Sequence, residues 1–205
     1  QTGKLPASAR IIEEVLVGPS LGQQAIHAGL ISLAVSFLLI VVFMIFFYSS
    51  AGIVANLVLL LNLFMIIGLM AGFGSTLTLP GLAGLVLTLG IAVDANVIIY
   101  ERVKEELRLG KGLIIAAQEG FKHSLPAILD GNITTLLTGI ILAWIGVGPV
   151  KGFAITLIIG ILTTLFTALL LSRIIIERRL ASGKGLSFLT SFTTNFLQGD
   201  NFDFS

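Results

Sequence analysis

The feature that most constrains the fold is a run of 79 consecutive residues, 15–93, without a single Asp, Glu, Lys or Arg. An apolar helix crosses the hydrocarbon core of a bilayer in about 20 residues, so this run allows about three crossings with their turns. Of all 205 residues, 56% are hydrophobic and 11% are charged, whereas soluble domains carry roughly 25% charged residues. The sequence therefore predicts an integral membrane protein and excludes a soluble enzyme, a nucleic-acid-binding protein and a disordered tail.

Charge-free stretches and turn residues predict an all-α polytopic membrane protein with five transmembrane helices. The first is closed by the polar pair Ser49 and Ser50, and Pro80 begins the third, since proline is tolerated in the first turn of a helix. Residues 101–122 include nine charged side chains, too many to lie in lipid, so they are predicted to form a loop in water. The predicted helices span residues 24–48, 53–73, 80–100, 125–145 and 152–172.

The predicted helices form one bundle, residues 23–173, between two flanking segments. Residues 1–22 are interpreted as the end of an external domain and the approach to the first helix, and residues 174–205 as a cytoplasmic tail or linker. The first ten residues lack the charged and apolar regions of a signal peptide, so we expect an earlier helix and an external domain to precede this segment.

The distribution of basic residues predicts the orientation. With five crossings, nine Lys and Arg side chains fall on one side of the membrane and three on the other. Cytoplasmic segments carry the excess of basic residues, so the loop at 101–122 and the C-terminus are predicted to be cytoplasmic and the N-terminus external. The chain contains no cysteine and two histidines, which leaves no Ser-His pairing and no metal-ligand spacing.

Asp94 is the acidic residue that falls well inside a predicted helix. An aspartate at that depth costs about 2.5 to 3.5 kcal/mol to insert, so it must face protein or water, and a proton pathway is the default interpretation. Gly90, one turn earlier on the same face, has no side chain and allows a neighbouring helix or water to approach. Glu101 lies on this face about 10 Å nearer the cytoplasm and is a candidate support for the path. The alternative for Asp94 is a buried hydrogen bond without a role in transport.

Two further sets of residues are weaker candidates. Asp130, with Thr134 and Thr138 four and eight residues later, could hydrate a proton path, although a carboxylate near a helix N-terminus also complements the helix dipole. Gly160 lies on a face of the last predicted helix that carries Thr156 and other threonines, a pattern typical of close helix packing.

Two intramembrane aspartates also raise the hypothesis of an aspartyl protease, in which a carboxylate pair activates water. Such an enzyme would be expected to show Tyr-Asp and Gly-x-Gly-Asp on neighbouring helices, whereas Asp94 follows Ile-Ala-Val and Asp130 follows Ile-Leu. The sequence therefore favours a protein that is not an enzyme, has no catalytic residues and no metal site, and needs no cofactor beyond protons as the coupling ion.

Several motifs resemble the SecD family of the resistance-nodulation-division superfamily. They cover nearly the whole chain and read VGPSLG (17–22), LPGLAG (79–84), GIAVDANV (90–97), ILDGNITT (128–135) and GPVKGFA (148–154). The run 201–204 is similar to the segment that precedes the first helix of SecF, which implies a SecD half from a fused SecD-SecF polypeptide; a separate SecD is the alternative.

This resemblance implies a fold and a function. The chain would supply five helices of a six-helix half-bundle in the bacterial inner membrane, with Asp94 as the proton relay. A SecF half, fused or separate, would complete the bundle and bring an arginine to the proton pathway. Inward proton flow would drive the movement of preproteins that emerge from the SecYEG translocon. The alternatives are a proton-driven exporter of small molecules or lipids from the same superfamily, or a passive scaffold for the translocon.

Overall fold

The computed structural model describes residues 19–74, 78–182 and 188, and in this part of the chain all regular structure is helical. The predicted strand-free fold is confirmed for these residues. Most of the two flanking segments, residues 1–18 and 189–205, lies outside the described residues. The elements are α1 (Pro19–Gly72), α2 (Leu79–Arg108), α3 (Leu113–Ile145), α4 (Pro149–Phe166), a π-helical turn (Thr167–Leu171) and α5 (Ser172–Ala181).

The predicted count of five membrane-spanning helices is not matched. The described residues contain four helices long and apolar enough to cross a membrane, because α4, the π-helical turn and α5 form one continuous helix, Pro149–Ala181. The first two predicted helices are one element, α1, whose helical backbone is interrupted at a single residue, Ser49, with φ 50° and ψ −123°. The polar pair predicted to close the first helix does contain the interruption. The interruption is a single residue, Ser49, and no loop separates the two halves of α1.

The interruption at Ser49 reverses the direction of the chain. The Asn56 side-chain Nδ2 donates a hydrogen bond to the Val41 carbonyl oxygen over 3.1 Å, although a straight helix would hold residues fifteen apart about 22 Å from each other. A Cβ atom at Gly52 would lie 2.0 Å from the Met44 carbonyl oxygen, so the two halves of α1 touch through their backbones. Helix α1 is therefore a helical hairpin.

Helix α2 packs against α1, α3 and α4. Small residues at such contacts let helix backbones approach closely in a membrane. A Cβ atom at Gly120 would lie 2.9 Å from the Val103 backbone nitrogen, where α3 crosses α2. A Cβ atom at Gly160 would lie 2.3 Å from Thr88 Cγ2, where α4 crosses α2. These crossings bury most of the surface of α2 and leave one of its faces uncovered.

The close approach of α4 to α2 makes a prediction for stability. Gly160→Ala should lower the free energy of unfolding by about 1 to 3 kcal/mol, because the new methyl group meets a β-branched side chain that has few alternative rotamers. The measurement is the unfolding temperature of the full-length protein in detergent. Gly68→Ala is the matched control, since Gly68 lies outside the uncovered face of α2 and no described atom lies within 4 Å of a Cβ there. Equal destabilisation by the two substitutions would contradict the close approach.

The last helical stretch changes its hydrogen-bonding pattern near its end. Between α4 and α5 the backbone forms a π-helical turn, in which the Ser172 N–H donates to the Thr167 carbonyl oxygen. A π-turn holds one residue more than an α-turn, so it shifts the residues after it by roughly 100° around the helix axis relative to those before it. Such turns are frequent at functional sites.

Candidate proton-relay site

Asp94 lies in the C-terminal half of α2, on the face that α1, α3 and α4 leave uncovered. Its side chain is exposed, whereas the neighbouring Ala95 and Asn96 are 2% exposed. No hydrogen bond or ion pair joins Asp94 to any residue that the structure describes. The alternative of a structural hydrogen bond between helices therefore has no partner in the described part of this chain.

The surface around Asp94 is apolar. Exposed positions recur every three or four residues along α2, at Ala83, Leu87, Gly90 and Asp94, and we call this stripe the Asp94 face. Leu87 is 46% exposed, and the space that a side chain at Gly90 would fill is open among the described residues. The predicted packing role of Gly90 therefore stays a prediction, and it would concern a surface that covers the Asp94 face from outside these helices.

Glu101 lies seven residues after Asp94, at the charged end of α2, and is held by two donors. Its Oε1 accepts hydrogen bonds from the Tyr48 hydroxyl at 2.7 Å and from Lys104 Nζ at 2.8 Å. Burial alone would raise the pKa of Glu101, but these two hydrogen bonds and the nearby positive charges lower it below its usual value. A carboxylate fixed in this way favours its ionised form, and the predicted support of a proton path by Glu101 stays a prediction.

The same cluster ties α2 to the reversal of α1. Lys104 Nζ lies 4.5 Å from the centre of the Tyr48 ring, within the range of a cation–π interaction. The hydroxyl of buried Tyr100 donates to the Ala51 carbonyl oxygen at 3.0 Å, two residues after Ser49. Sequence reasoning missed these contacts, because Tyr48 and Glu101 are 53 positions apart and no short motif links them.

The second set of candidates, on α3, is also exposed. The Thr134 hydroxyl donates to the Asp130 carbonyl oxygen at 2.9 Å, and the Thr138 hydroxyl donates to the Thr134 carbonyl oxygen at 3.1 Å. Both donors are thus used within their own helix. In the part of the chain that the structure describes, no hydrogen bond links the Asp130 side chain to Asp94.

The two aspartates nevertheless lie at similar distances from the point where their helices cross. Helices α2 and α3 are antiparallel neighbours and cross where Gly120 meets Val103. Asp94 precedes Val103 by nine residues and Asp130 follows Gly120 by ten, which places both carboxylates about 14 to 15 Å from the crossing. A proton path that uses both would have to run between two exposed faces of one helix pair.

A second charged cluster joins the ends of α2 and α3. Glu106 accepts hydrogen bonds from Lys111 Nζ at 2.6 Å and lies 3.0 Å from His123 Nδ1. Lys111 also pairs with Glu119. The bonds from Lys111 and His123 lower the pKa of Glu106, and the bonds to both glutamates raise the pKa of Lys111. The sequence places these charges near each other but does not give their pairing.

This cluster predicts a pH-dependent stability. Glu106→Gln should destabilise the α2–α3 hairpin near neutral pH, and its difference from wild type should shrink in acid. The ionised carboxylate contributes stability above its ordinary pKa of 4.5, and that contribution is lost as the pH falls through the lower pKa of the folded state. Unfolding temperatures of the two proteins across pH check this. A difference that persists in strong acid would contradict it, and Glu105→Gln, at an exposed pair with Arg102, should have little effect at any pH.

Other potential ligand groups are dispersed. Among residues 19–74, 78–182 and 188, no three His, Cys, Asp or Glu side chains lie together as a metal site would require. Buried Asn62 donates through Nδ2 to Thr164 Oγ1 at 3.1 Å and thereby joins α1 to α4. This polar contact was not among the sequence candidates. It is typical of the side-chain hydrogen bonds that join helices within a membrane.

The fold and the site define a class: a multi-pass helical membrane protein with a carboxylate on an apolar helix face that the other described helices leave uncovered. The chain belongs to the family described as protein export membrane protein SecD/SecF, C-terminal, which it matches over residues 2–179. It is 51% identical over 177 residues to the protein translocase subunits SecD of Desulfurispirillum indicum and Rhodothermus marinus. Each alignment covers 86% of this chain, but 34% and 28% of those relatives.

A solved structure has the same fold. The crystal structure of SecDF, a translocon-associated membrane protein from Thermus thermophilus, is similar with a TM-score of 0.81 and 46% identity. The match covers 85% of this chain and 24% of that one. The relatives are named protein translocase subunits, and this chain spans about a third or less of their length, so the activity of the whole protein is a matter for a proposal.

Proposed function

We propose that this chain is the membrane region of a SecD subunit that couples inward proton flow to the translocation of preproteins emerging from SecYEG. The observation that supports this most is the position of Asp94, exposed on an otherwise apolar helix face without a partner in the described residues. A carboxylate there is costly in lipid, and ionisable residues within membrane helices typically mark functional sites such as ion pathways and proton relays.

The Asp94 face requires a cover. Because an aspartate facing hydrocarbon costs about 2.5 to 3.5 kcal/mol, another protein surface or water must lie against it. We assign this cover to a SecF half, fused or separate, which would also bring a cation to Asp94. The family and the relative named SecDF support that assignment, since both names join SecD with SecF.

The hairpin in α1 supports five crossings from four helices. A straight helix of 54 residues would be about 81 Å long, whereas the hydrocarbon core is about 30 Å thick. We propose that α1 crosses twice, with the α2–α3 connection and the end of α5 in the cytoplasm of a bacterial cell and the start of α1 in the periplasm. The excess of basic residues supports this orientation. Movements of the SecF half that covers Asp94 would then open this carboxylate to the periplasm or to the cytoplasm.

The proposed mechanism is alternating protonation of Asp94. Water or a nearby cation favours the ionised carboxylate, and a dry apolar contact favours the neutral acid. If the SecF half opens Asp94 to one side of the membrane at a time, each proton picked up outside is released inside. One proton gains about 2.3 kcal/mol per 100 mV, so a few protons can bias the movement of a large external domain.

The cargo distinguishes this proposal from a small-molecule or lipid exporter of the same superfamily. In membrane vesicles, the full-length protein should crosslink to a secretory chain arrested in SecYEG, and the yield should fall when the arrested chain is released. An equal yield with an arrested cytosolic chain would contradict a role in preprotein export. Proton-dependent efflux of a lipid or small molecule without any crosslink would favour the alternative.

A further inference from the structure

A groove separates α3 from the π-helical turn at the charged end of the bundle. Its volume is about 650 Å³. It is distinct from the Asp94 face, because its walls come from the N-terminal half of α3, from the π-turn itself and from Arg173 just after it. The residues that line it divide into two layers, one polar and one apolar.

The polar layer is positively charged. Lys122 and Arg173 line the groove from opposite walls, with one carboxylate, Glu119. Glu119 is paired with Lys111, so its charge is offset. Arg173 donates through Nε to Glu177 at 2.8 Å, so its charge is likewise offset in part. The N–H groups of its two terminal nitrogens remain as donors. Lys122 is exposed and has no ion pair with a described residue.

The apolar layer lies one turn deeper in the bundle on both walls. Leu125 follows Lys122 by three residues on α3, which runs away from the charged end. Leu169 and Leu170 precede Arg173 by four and three residues on the helix that runs towards that end. Both walls therefore place apolar side chains about 5 Å below a cation. Leu125 and Leu170 are 39% and 51% exposed, so this layer is accessible.

The π-helical turn contributes to this arrangement. Leu169 and Leu170 lie within it, and Arg173 follows directly after its C-terminal neighbour Ser172. Because the turn shifts later residues by roughly 100°, it determines which side of the helix Arg173 occupies relative to the apolar residues of α4.

We propose that this groove binds the headgroup of an anionic phospholipid. Its phosphate would lie between Lys122 and Arg173, and its acyl chains would run along Leu125 and Leu170. The two layers match the order of charge and hydrocarbon in a lipid, and basic pockets between helices on the cytoplasmic side are suited to anionic headgroups. The assignment does not depend on Asp94, and it holds for whichever side of the membrane the charged end faces.

The test compares lipid binding by the full-length protein and by Lys122→Gln/Arg173→Gln. Native mass spectrometry of protein titrated with phosphatidylglycerol should show about thirtyfold weaker binding at one site for the double variant. Lys151→Gln is the matched control, because Lys151 lines a different cavity, and it should bind as wild type does. Lys122→Arg/Arg173→Lys keeps both charges and should retain most of the binding.

Three further arms decide the chemistry of the ligand. Phosphatidylcholine with the same acyl chains should bind the wild type more weakly than phosphatidylglycerol does, since the positive charge of choline offsets that of the phosphate. Inorganic phosphate should not displace phosphatidylglycerol; effective displacement would overturn the lipid assignment in favour of a small-anion site. Equal phosphatidylglycerol binding by the wild type and the Gln variant would overturn the site itself. Proton-dependent export by the same proteins reports on Asp94 separately, so a failure of one proposal is distinguishable from a failure of the other.

Discussion

Replacing Asp94 with Asn in the full-length protein should abolish the stimulation of preprotein export by a proton gradient. Asparagine has nearly the same shape and remains polar, but it cannot release a proton. Because the Asp94 side chain forms no hydrogen bond within the described part of the chain, the substitution should leave folding and insertion unchanged. Export in vesicles with and without a gradient should therefore become equal in the variant.

The matched control for this experiment is Glu105→Gln. Glu105 is also a carboxylate on α2, but it lies in the charged segment and pairs with exposed Arg102. Its replacement should leave the gradient-dependent part of export close to wild type, since exposed pairs contribute little. If Asp94→Asn inserts normally and still responds to the gradient as wild type does, Asp94 is not the relay.

Gly52→Ala should prevent the hairpin in α1 from closing. The new Cβ atom would lie 2.0 Å from the Met44 carbonyl oxygen and 2.6 Å from its carbonyl carbon. Both atoms belong to the backbone, so no side-chain rotation relieves the contact and the two halves of α1 must separate. The expected cost is at least about 3 kcal/mol, the upper part of the range for overpacked sites.

The effect of Gly52→Ala is measured as the yield of folded protein in the membrane and as its unfolding temperature in detergent. Gly68→Ala is the control, because Gly68 lies in the same half of α1 and nothing lies within 4 Å of a Cβ there. Alanine at Gly68 should be neutral or stabilise the helix by up to about 1 kcal/mol. A Gly52→Ala protein as stable as wild type would mean that the reversal does not bring these backbones together.

The long apolar helices could be predicted from the sequence, because charge is excluded from lipid and the gaps between charges mark candidate membrane-spanning segments. The 100° periodicity of a helix likewise predicted that Gly90 and Asp94 share a face. The one-residue reversal at Ser49 could not be predicted, since non-glycine residues seldom adopt a positive φ and neighbouring packing must hold it there.

The limits of prediction were greatest where distant residues meet. Gly90 and Gly160 look alike in the sequence, but only Gly160 meets another helix in the described residues. Glu101 was grouped with Asp94 because both occupy one helix face. In the structure, however, Glu101 accepts hydrogen bonds from Tyr48 of α1 and from Lys104. Periodicity gives the direction of a side chain, and tertiary packing decides what it contacts.

The central claim is that Asp94 gains and loses a proton while it lies within the membrane. Difference infrared spectroscopy of the full-length protein in lipid, recorded between acidic and alkaline pH, measures this directly. A carboxylic-acid band that changes with pH should appear in wild type and in Glu105→Gln but be missing in Asp94→Asn. Identical difference spectra for wild type and Asp94→Asn would contradict it, because Asp94 would then hold one protonation state throughout.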